Sequence, residues 1–89
     1  MIERSFNALG SDFVRYEFAA GEGLPRHNHD QDHLMVVLAG RVRVTTHDGD
    51  TREFGPSDDA VIFRAPRFHA IEALEPSSIL NVFAKAGGP

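Results

Sequence analysis

The sequence contains no cysteine at any of its 89 positions. This excludes disulfide bonds, thiolate metal ligands and a cysteine nucleophile, and it is typical of a chain from a reducing compartment. No apolar run approaches the roughly 18 to 20 residues that a membrane-spanning helix needs, and the N-terminus lacks the apolar core of a secretion signal. From these absences we predict a cytoplasmic protein with no membrane partner.

Basic charge is also scarce in the sequence. Nine lysine and arginine residues against thirteen aspartate and glutamate residues give a net charge of −4. A nucleic-acid-binding domain normally carries a basic patch, so we predict no nucleic-acid partner. Hydrophobic residues make up 42% and charged residues 25%, which is typical of a folded globular chain. We therefore predict one small domain over residues 1–89, with residues 86–89 as a loose tail.

Helix signals are almost absent, because no segment sustains an apolar period of 3.6 residues. Short segments of strand character recur instead, separated by turn residues at intervals of about ten positions. These segments are residues 12–19, 33–39, 41–46, 51–54, 60–64, 68–74 and 78–84. Seven or eight short strands predict an all-β, single-domain, antiparallel β-barrel or jelly roll, whose centre or mouth can hold a ligand or a metal.

Three of the five histidines, His27, His29 and His33, fall within seven residues. In an extended segment, positions i and i+2 lie on the same face about 7 Å apart. Two imidazoles at that spacing can bind one ion at roughly 2.0 to 2.2 Å from each nitrogen. His33 can join them across a short turn, and the fold can bring in His69. The alternative is a solvated surface cluster, which the polar residues 28–32 would suit, but the flanking glycines and the apolar strand that follows favour a metal site.

The spacing around these histidines resembles the first motif of the cupin family, G-x5-H-x-H-x3/4-E-x6-G. The matching positions are Gly21, His27, His29, His33 and Gly40, which fit every spacing. The one substitution is His33, where the family usually has glutamate. The resemblance implies a cupin barrel in which a four-histidine set, a known variant within the family, binds the metal.

The second cupin motif, roughly G-x5-P-x-G-x2-H-x3-N, is degraded but recognisable. Its histidine matches His69. Asp58 replaces the leading glycine and Ala73 replaces the asparagine, while Arg64 and Pro66 stand where proline and glycine are common. These departures leave the implied fold intact and put the usual mixed ligand set in doubt.

A site of four neutral imidazoles would leave the full +2 charge of a divalent ion in place. Imidazole suits Zn, Cu, Fe and Ni, and availability also permits Mn. We therefore predict one divalent transition-metal ion per chain, with Fe, Mn, Ni, Cu and Zn all open. Unfilled coordination positions would make the site a catalyst, whereas zinc bound by all four histidines would make it structural.

The alternation of side chains along the strands predicts which residues surround the metal. The pocket candidates are Tyr16, Phe18, Met35, Phe63, Asn81 and Phe83. Core packing is the competing interpretation for the apolar members, whereas Tyr16 and Asn81 would each bring a polar group. Arg64 is a candidate for holding an anionic substrate near the mouth. No residue stands out as a general base, because the acidic residues lie mostly in predicted turns.

The strand at residues 33–39 is apolar on both faces. Leu34, Val36 and Leu38 form its second face, which a short barrel would leave uncovered, and we predict that a homodimer covers it. The resemblance to cupins implies a metal-dependent enzyme, a dioxygenase or another oxidoreductase, with a small organic compound as substrate. The alternatives are a non-catalytic sensor or binding module for a small ligand, and a structural metal site.

Overall fold

The computed structural model describes residues 1–85, and the predicted tail at residues 86–89 lies outside this range. Residues 1–85 form nine β-strands and contain no helix. The strands are β1 (Ile2–Ala8), β2 (Ser11–Phe18), β3 (Gly23–His27), β4 (His33–Ala39), β5 (Val42–Thr45), β6 (Thr51–Phe54), β7 (Val61–Phe63), β8 (His69–Ala73) and β9 (Ser77–Phe83).

The strands form two antiparallel sheets that pack face to face. The five-stranded sheet has the order β1-β2-β9-β4-β7, and the four-stranded sheet has the order β3-β8-β5-β6. Their inner faces share one hydrophobic core, which consists of Phe18, Met35, Val37, Val42, Val44, Phe63, Ile71, Ala73 and Ile79. This architecture confirms the prediction of an all-β antiparallel jelly roll. In the described chain, no helix is long and apolar enough to cross a membrane.

Two of the nine strands were not predicted from the sequence. β1 is exposed along six of its seven residues, so it has no buried face to give an alternating apolar pattern. The segment that contains β3 holds Gly23 and Pro25, which indicate a turn. β3 nevertheless pairs with β8. Gly23 is the first residue of the strand and β3 is an edge strand, so both the glycine and Pro25 are tolerated there.

Two glycines permit tight connections between the strands. Gly40, which directly follows β4, has a positive φ of 82°, and a β-carbon there would collide with Pro76 and Ser77. Gly49 has a φ of 89° in the β5–β6 turn, where the Thr46 amide donates to the Asp50 carbonyl at 2.8 Å. Both conformations favour glycine. Residues 46–50 thus form a hairpin turn between β5 and β6.

Candidate metal centre

The four predicted histidines come together at one end of the barrel. His27 ends β3 and pairs across the strands with His69, which begins β8. His29 follows β3 in the connecting loop, and His33 begins β4 in the other sheet. The ring centroids are 4.4 Å apart for His27 and His69, 4.8 Å for His27 and His29, and 5.1 Å for His33 and His69. The cluster therefore joins the two sheets.

Three of these histidines lie at distances that suit a single ion. Ligand nitrogens of His27, His29 and His69 all lie within 4.8 Å of one another. An ion at about 2.1 Å from each nitrogen requires nitrogen separations of roughly 3 to 4 Å, which small side-chain rotations would reach. His33 lies outside this set of three, although its ring centroid is 4.9 Å from that of His29. The described residues therefore contain a three-histidine group with a fourth histidine adjacent to it.

The hydrogen bonding of the histidine rings suits metal ligands. The Nδ1 atom of His27 lies 2.6 Å from the Pro25 carbonyl oxygen, which only accepts, so Nδ1 donates and Nε2 keeps its lone pair. His33 and His69 are 4% and 3% exposed, and in residues 1–85 neither ring nitrogen of either one has a hydrogen-bond partner. Buried polar atoms are normally paired. Four unpaired nitrogens beside two further histidines fit the donor set of a transition-metal ion.

Burial keeps the inner histidines neutral. Burial, together with the nearby His69, His29 and His27, lowers the pKa of His33 to about 3. Burial, together with His27 and His29, lowers the pKa of His69 to about 4, and the nearby Arg67 backbone opposes part of this shift. The pKa of His29 is lowered by burial and by His27. A neutral imidazole is the form that binds a metal, so at neutral pH these rings need not lose a proton first.

Two phenylalanines form apolar walls around the cluster. Phe63 stacks on His69 at a centroid distance of 4.2 Å and on His33 at 4.9 Å. Phe83 stacks on His33 at 4.6 Å and contacts the edge of the His29 ring at 5.0 Å. These contacts fix the imidazole planes and keep water from the inner side of the cluster. Such a shell governs solvent access and dielectric at a metal site.

A cavity of about 470 Å³ opens beside His29. Its lining is mostly polar and consists of Glu3, Ser5, Phe6, Asn7, Asp12, Val14, His29, Gln31 and Phe83. The Asn7 side chain donates a 2.9 Å hydrogen bond to the Asp12 carboxylate and so orients it. No candidate base could be identified from the sequence, although Asp12 begins the predicted strand 12–19, because Glu3 lies in β1, which was not predicted. Glu3 and Asp12 lie on the neighbouring strands β1 and β2 and line the same cavity. This proximity depends on the pairing of β1, so it could not be seen in the sequence.

A smaller cavity of about 140 Å³ adjoins His69. Its lining includes His47, Arg64 and Arg67. Arg64 is paired with Asp32 at 3.0 Å, and Arg67 is paired with Asp48 at 3.0 Å. An anion at this mouth would have to compete with these carboxylates for the guanidinium groups. The position of Arg64 at a mouth agrees with the sequence analysis, but its pairing weakens the case for anion binding.

The predicted pocket residues divide into three groups. Phe63 and Phe83 contact the histidine rings directly, as described above. Phe18 and Met35 belong to the hydrophobic core, and Tyr16 packs against that core while stacking on Phe18 at 5.7 Å. Asn81 is 3% exposed, and its Oδ1 atom has no hydrogen-bond partner in the described part of the chain. It is paired with Met35 across the strands, one inward-facing position from Phe83.

The two antiparallel sheets and the histidine cluster at one end of them define a small jelly-roll domain. The chain belongs to the cupin family, because residues 14–83 match the family's cupin domain. No curated protein sequence is significantly similar to it.

Solved structures show the same fold. A cupin superfamily protein from Desulfitobacterium hafniense superposes with a TM-score of 0.84 at 20% identity, over 94% of this chain and 76% of that one. A Cupin 2 conserved barrel domain protein from Leptotrichia buccalis gives 0.84 at 22% identity, over 94% of this chain and 40% of that one. KdgF from a Halomonas species gives 0.81 at 25% identity, over 91% of this chain and 74% of that one.

Proposed function

We propose that His27, His29, His33 and His69 bind one divalent transition-metal ion, and that the protein is a mononuclear metal-dependent enzyme. The proposed activity is that of a dioxygenase or another oxidoreductase acting on a small organic compound. The observation that carries the proposal is that His33 and His69 are buried with all four ring nitrogens unpaired as far as residues 1–85 go. A histidine kept only for packing would satisfy at least one nitrogen, because an unpaired buried polar atom costs about 1 to 3 kcal/mol.

The residues around the cluster support a reaction there. A bound ion would supply Lewis acidity and, for a redox-active metal, electron transfer. The Pro25 carbonyl fixes the tautomer of His27. Asp12, held by Asn7, lines the cavity beside His29, so its carboxylate is available to accept a proton from a compound bound there. In this proposal the histidines bind the metal and Asp12 accepts the proton.

A non-catalytic binding module is the second candidate function. The cavity beside His29 is open and lined mostly by polar side chains, and it would serve a retained ligand as well as a substrate. The Asp12→Asn variant separates the two. An enzyme should keep its metal and lose turnover by about 100-fold or more. A binding module should keep its metal and show no turnover before or after the change.

The first experiment is elemental analysis of protein purified without a metal-chelating tag, and again after reconstitution of the metal-free protein. We expect about one equivalent of Fe, Mn, Ni, Cu or Zn per chain, in line with a single mononuclear site. His27→Ala and His69→Ala should lose most of it. His47→Ala is the matched control and should keep it, because His47 lies in a hairpin turn and accepts a hydrogen bond from the Phe68 amide.

The spectrum of the bound ion then distinguishes an open site from a closed one. Shifts on adding azide or another small anion would mean that coordination positions are available, and a substrate screen with oxygen-uptake detection under air would follow. An ion that exchanges slowly and does not respond to anions would mean a structural site. Failure to bind any of the five metals after reconstitution would refute the metal proposal itself.

A further inference from the structure

The cavity beside His29 carries negative charge that no described residue balances. Its lining includes two carboxylates, Glu3 and Asp12, but neither lysine nor arginine. Within residues 1–85, neither of these carboxylates forms an ion pair. Unpaired charges of one sign on the walls of a cleft attract a ligand of the opposite sign. The cavity is therefore suited to a positively charged ligand.

The two amide side chains of the lining add hydrogen-bond acceptors. Asn7 donates from Nδ2 to the Asp12 carboxylate, and Gln31 donates from Nε2 to the Ala84 carbonyl, each at 2.9 Å. Each amide thus directs its nitrogen towards the protein, which leaves its oxygen available to a ligand. A lining rich in acceptors is complementary to a ligand with several N–H donors, and an ammonium group has three.

A buried acceptor next to the cavity also lacks a donor. Asn81 lies on β9 directly across from Val14, which lines the cavity, so both side chains are on the inner face of the sheet. Asn81 is 3% exposed, and within residues 1–85 its Oδ1 atom has no partner. Buried acceptors are normally paired. The N–H groups of a cationic ligand in the cavity would supply the donor that Oδ1 lacks.

The two carboxylates are placed for an extended organic molecule and not for one inorganic ion. Glu3 pairs with Tyr16, and Asp12 pairs with Asn7, which lies four residues further along β1. Four strand residues span about 13 Å, whereas the ligands of one Mg²⁺ or Ca²⁺ ion lie at roughly 2.0 to 2.6 Å from it. The described groups that cluster closely enough for an ion are three histidines, and they include neither carboxylate. A volume of about 470 Å³ is instead typical of a small-molecule site.

We propose that the compound bound in this cavity is a small aliphatic amine, whose ammonium group lies at Glu3 and whose other end lies beside Asp12 and His29. Val14 pairs with Ser5, midway between the two carboxylates along the strands, so it would contact the hydrocarbon portion. This inference rests on the proposed function, because it names the substrate class for the same site.

Tyr16 supports the assignment of the ammonium group to Glu3. Tyr16 lies directly across from Glu3 on the neighbouring strand. Burial, and then the charge of Glu3, raise the pKa of Tyr16 above its usual value. The phenol therefore stays protonated at neutral pH, and it can donate to one oxygen of Glu3 while the amine binds the other. Glu3 would thus be held in position before the amine arrives.

The test is a titration of the metal-free protein with 1,5-diaminopentane, followed by calorimetry and by the chemical shifts of the backbone amides. Two compounds of the same length serve as comparisons, the neutral 1,5-pentanediol and the dianion glutarate. We expect the diamine to bind at least about 10-fold more tightly than either one, because only the diamine offers a positive charge to each carboxylate. The shifted amides should belong to β1, β2 and the loop that carries His29.

Two variants test the position of the ammonium group. Glu3→Gln should weaken binding of the diamine by about 10-fold or more, because it removes the charge and keeps the size of the side chain. Glu75→Gln is the matched control, because it makes the same change in the exposed turn between β8 and β9. It should leave binding of the diamine unchanged.

The outcomes separate this inference from the metal proposal. Because the titration uses metal-free protein, amine binding is measured whether or not the histidines take up an ion. No binding of the diamine at about 10 mM, equally tight binding of the diol or glutarate, or equal affinities of the two variants would each overturn the inference. Displacement of the diamine by an equal concentration of Mg²⁺ would also overturn it. Circular dichroism checks folding, and if Glu3→Gln does not fold, the three compounds on the unaltered protein decide.

Discussion

Replacing His33 with phenylalanine should stabilise the metal-free protein. His33 is 4% exposed and lies between Phe63 and Phe83, and within residues 1–85 neither of its nitrogens has a partner. Two unpaired buried nitrogens destabilise the fold by about 1 to 3 kcal/mol each. A phenyl ring keeps the stacking but is slightly larger, and overpacking offsets part of the gain by about 1 to 3 kcal/mol. We expect His33→Phe to raise the free energy of unfolding by about 1 to 3 kcal/mol.

The assay is urea unfolding followed by circular dichroism, first in a chelator and then with a saturating metal. For a domain of this size, each kcal/mol raises Tm by roughly 4 to 8 °C, so thermal melts give a second reading. Metal at 100 times its Kd should stabilise the unaltered protein by about 2.7 kcal/mol. The variant should lose much of this increment, since it lacks one ligand. Stability without metal and metal binding should therefore change in opposite directions.

His47→Phe is the control for this experiment. His47 lies outside the cluster, and its change removes one hydrogen bond from the Phe68 amide. We expect a small loss of stability, of about 1 kcal/mol, and an unchanged response to metal. A metal-free His33→Phe variant that is less stable than the unaltered protein would contradict this prediction. The His33 nitrogens would then have partners in solution that satisfy them.

Three further predictions concern stability. Because the folded pKa values of His33 (about 3) and His69 (about 4) lie below the unfolded value of 6.5, the unfolded chain binds more protons as pH falls. The metal-free protein should keep its stability above pH 7.5 and lose about 2 kcal/mol per histidine by pH 5. A free energy of unfolding in urea that does not change with pH would contradict this. Gly40→Ala should destabilise by at least about 2 kcal/mol, because a β-carbon collides with the start of β9 at a φ of 82°. The Gly49→Ala control has a φ of 89° and meets no described atom within 4 Å, so thermal melts should show only about half that loss. Asn81→Leu should stabilise by about 1 to 2 kcal/mol, because it removes a buried oxygen that no described residue bonds, and a loss of stability in chemical denaturation would count against this.

Strands with one buried face could be predicted from the sequence almost to the residue. The segment 33–39 coincides with β4, while 68–74 and 78–84 differ from β8 and β9 by one residue at each end. The segment 51–54 also coincides with β6, although that strand is mostly exposed. Burial on one face imposes an alternating pattern that the sequence displays. β1 could not be predicted in this way, because it is held in the sheet by backbone pairing with β2 and six of its seven residues are exposed.

The histidines of the candidate site and two of the residues around them, Phe63 and Phe83, could be named from the sequence, but the positions of these phenylalanines could not. His27, His29 and His33 are close in the sequence, and local strand geometry brings them together, so their spacing alone was enough to predict the cluster. The walls come from Phe63 on β7 and Phe83 on β9, which both pair with His33 across the strands. That pairing depends on strand order, which no local pattern encodes. The cavity beside His29 depends on β1, and it was missed with that strand.

The position of the histidines at the junction of the two sheets has a mechanical consequence for a chain without cysteine. His27 and His69 belong to the four-stranded sheet and His33 belongs to the five-stranded sheet. An ion held by all of them would act as a reversible cross-link between the layers, closing a loop of roughly 36 residues from His33 to His69. By the entropy relation for a cross-linked loop, this is comparable to a disulfide worth about 4 kcal/mol. Separation of the two layers would then require release of the ion, and metal supply would set how long the barrel stays closed.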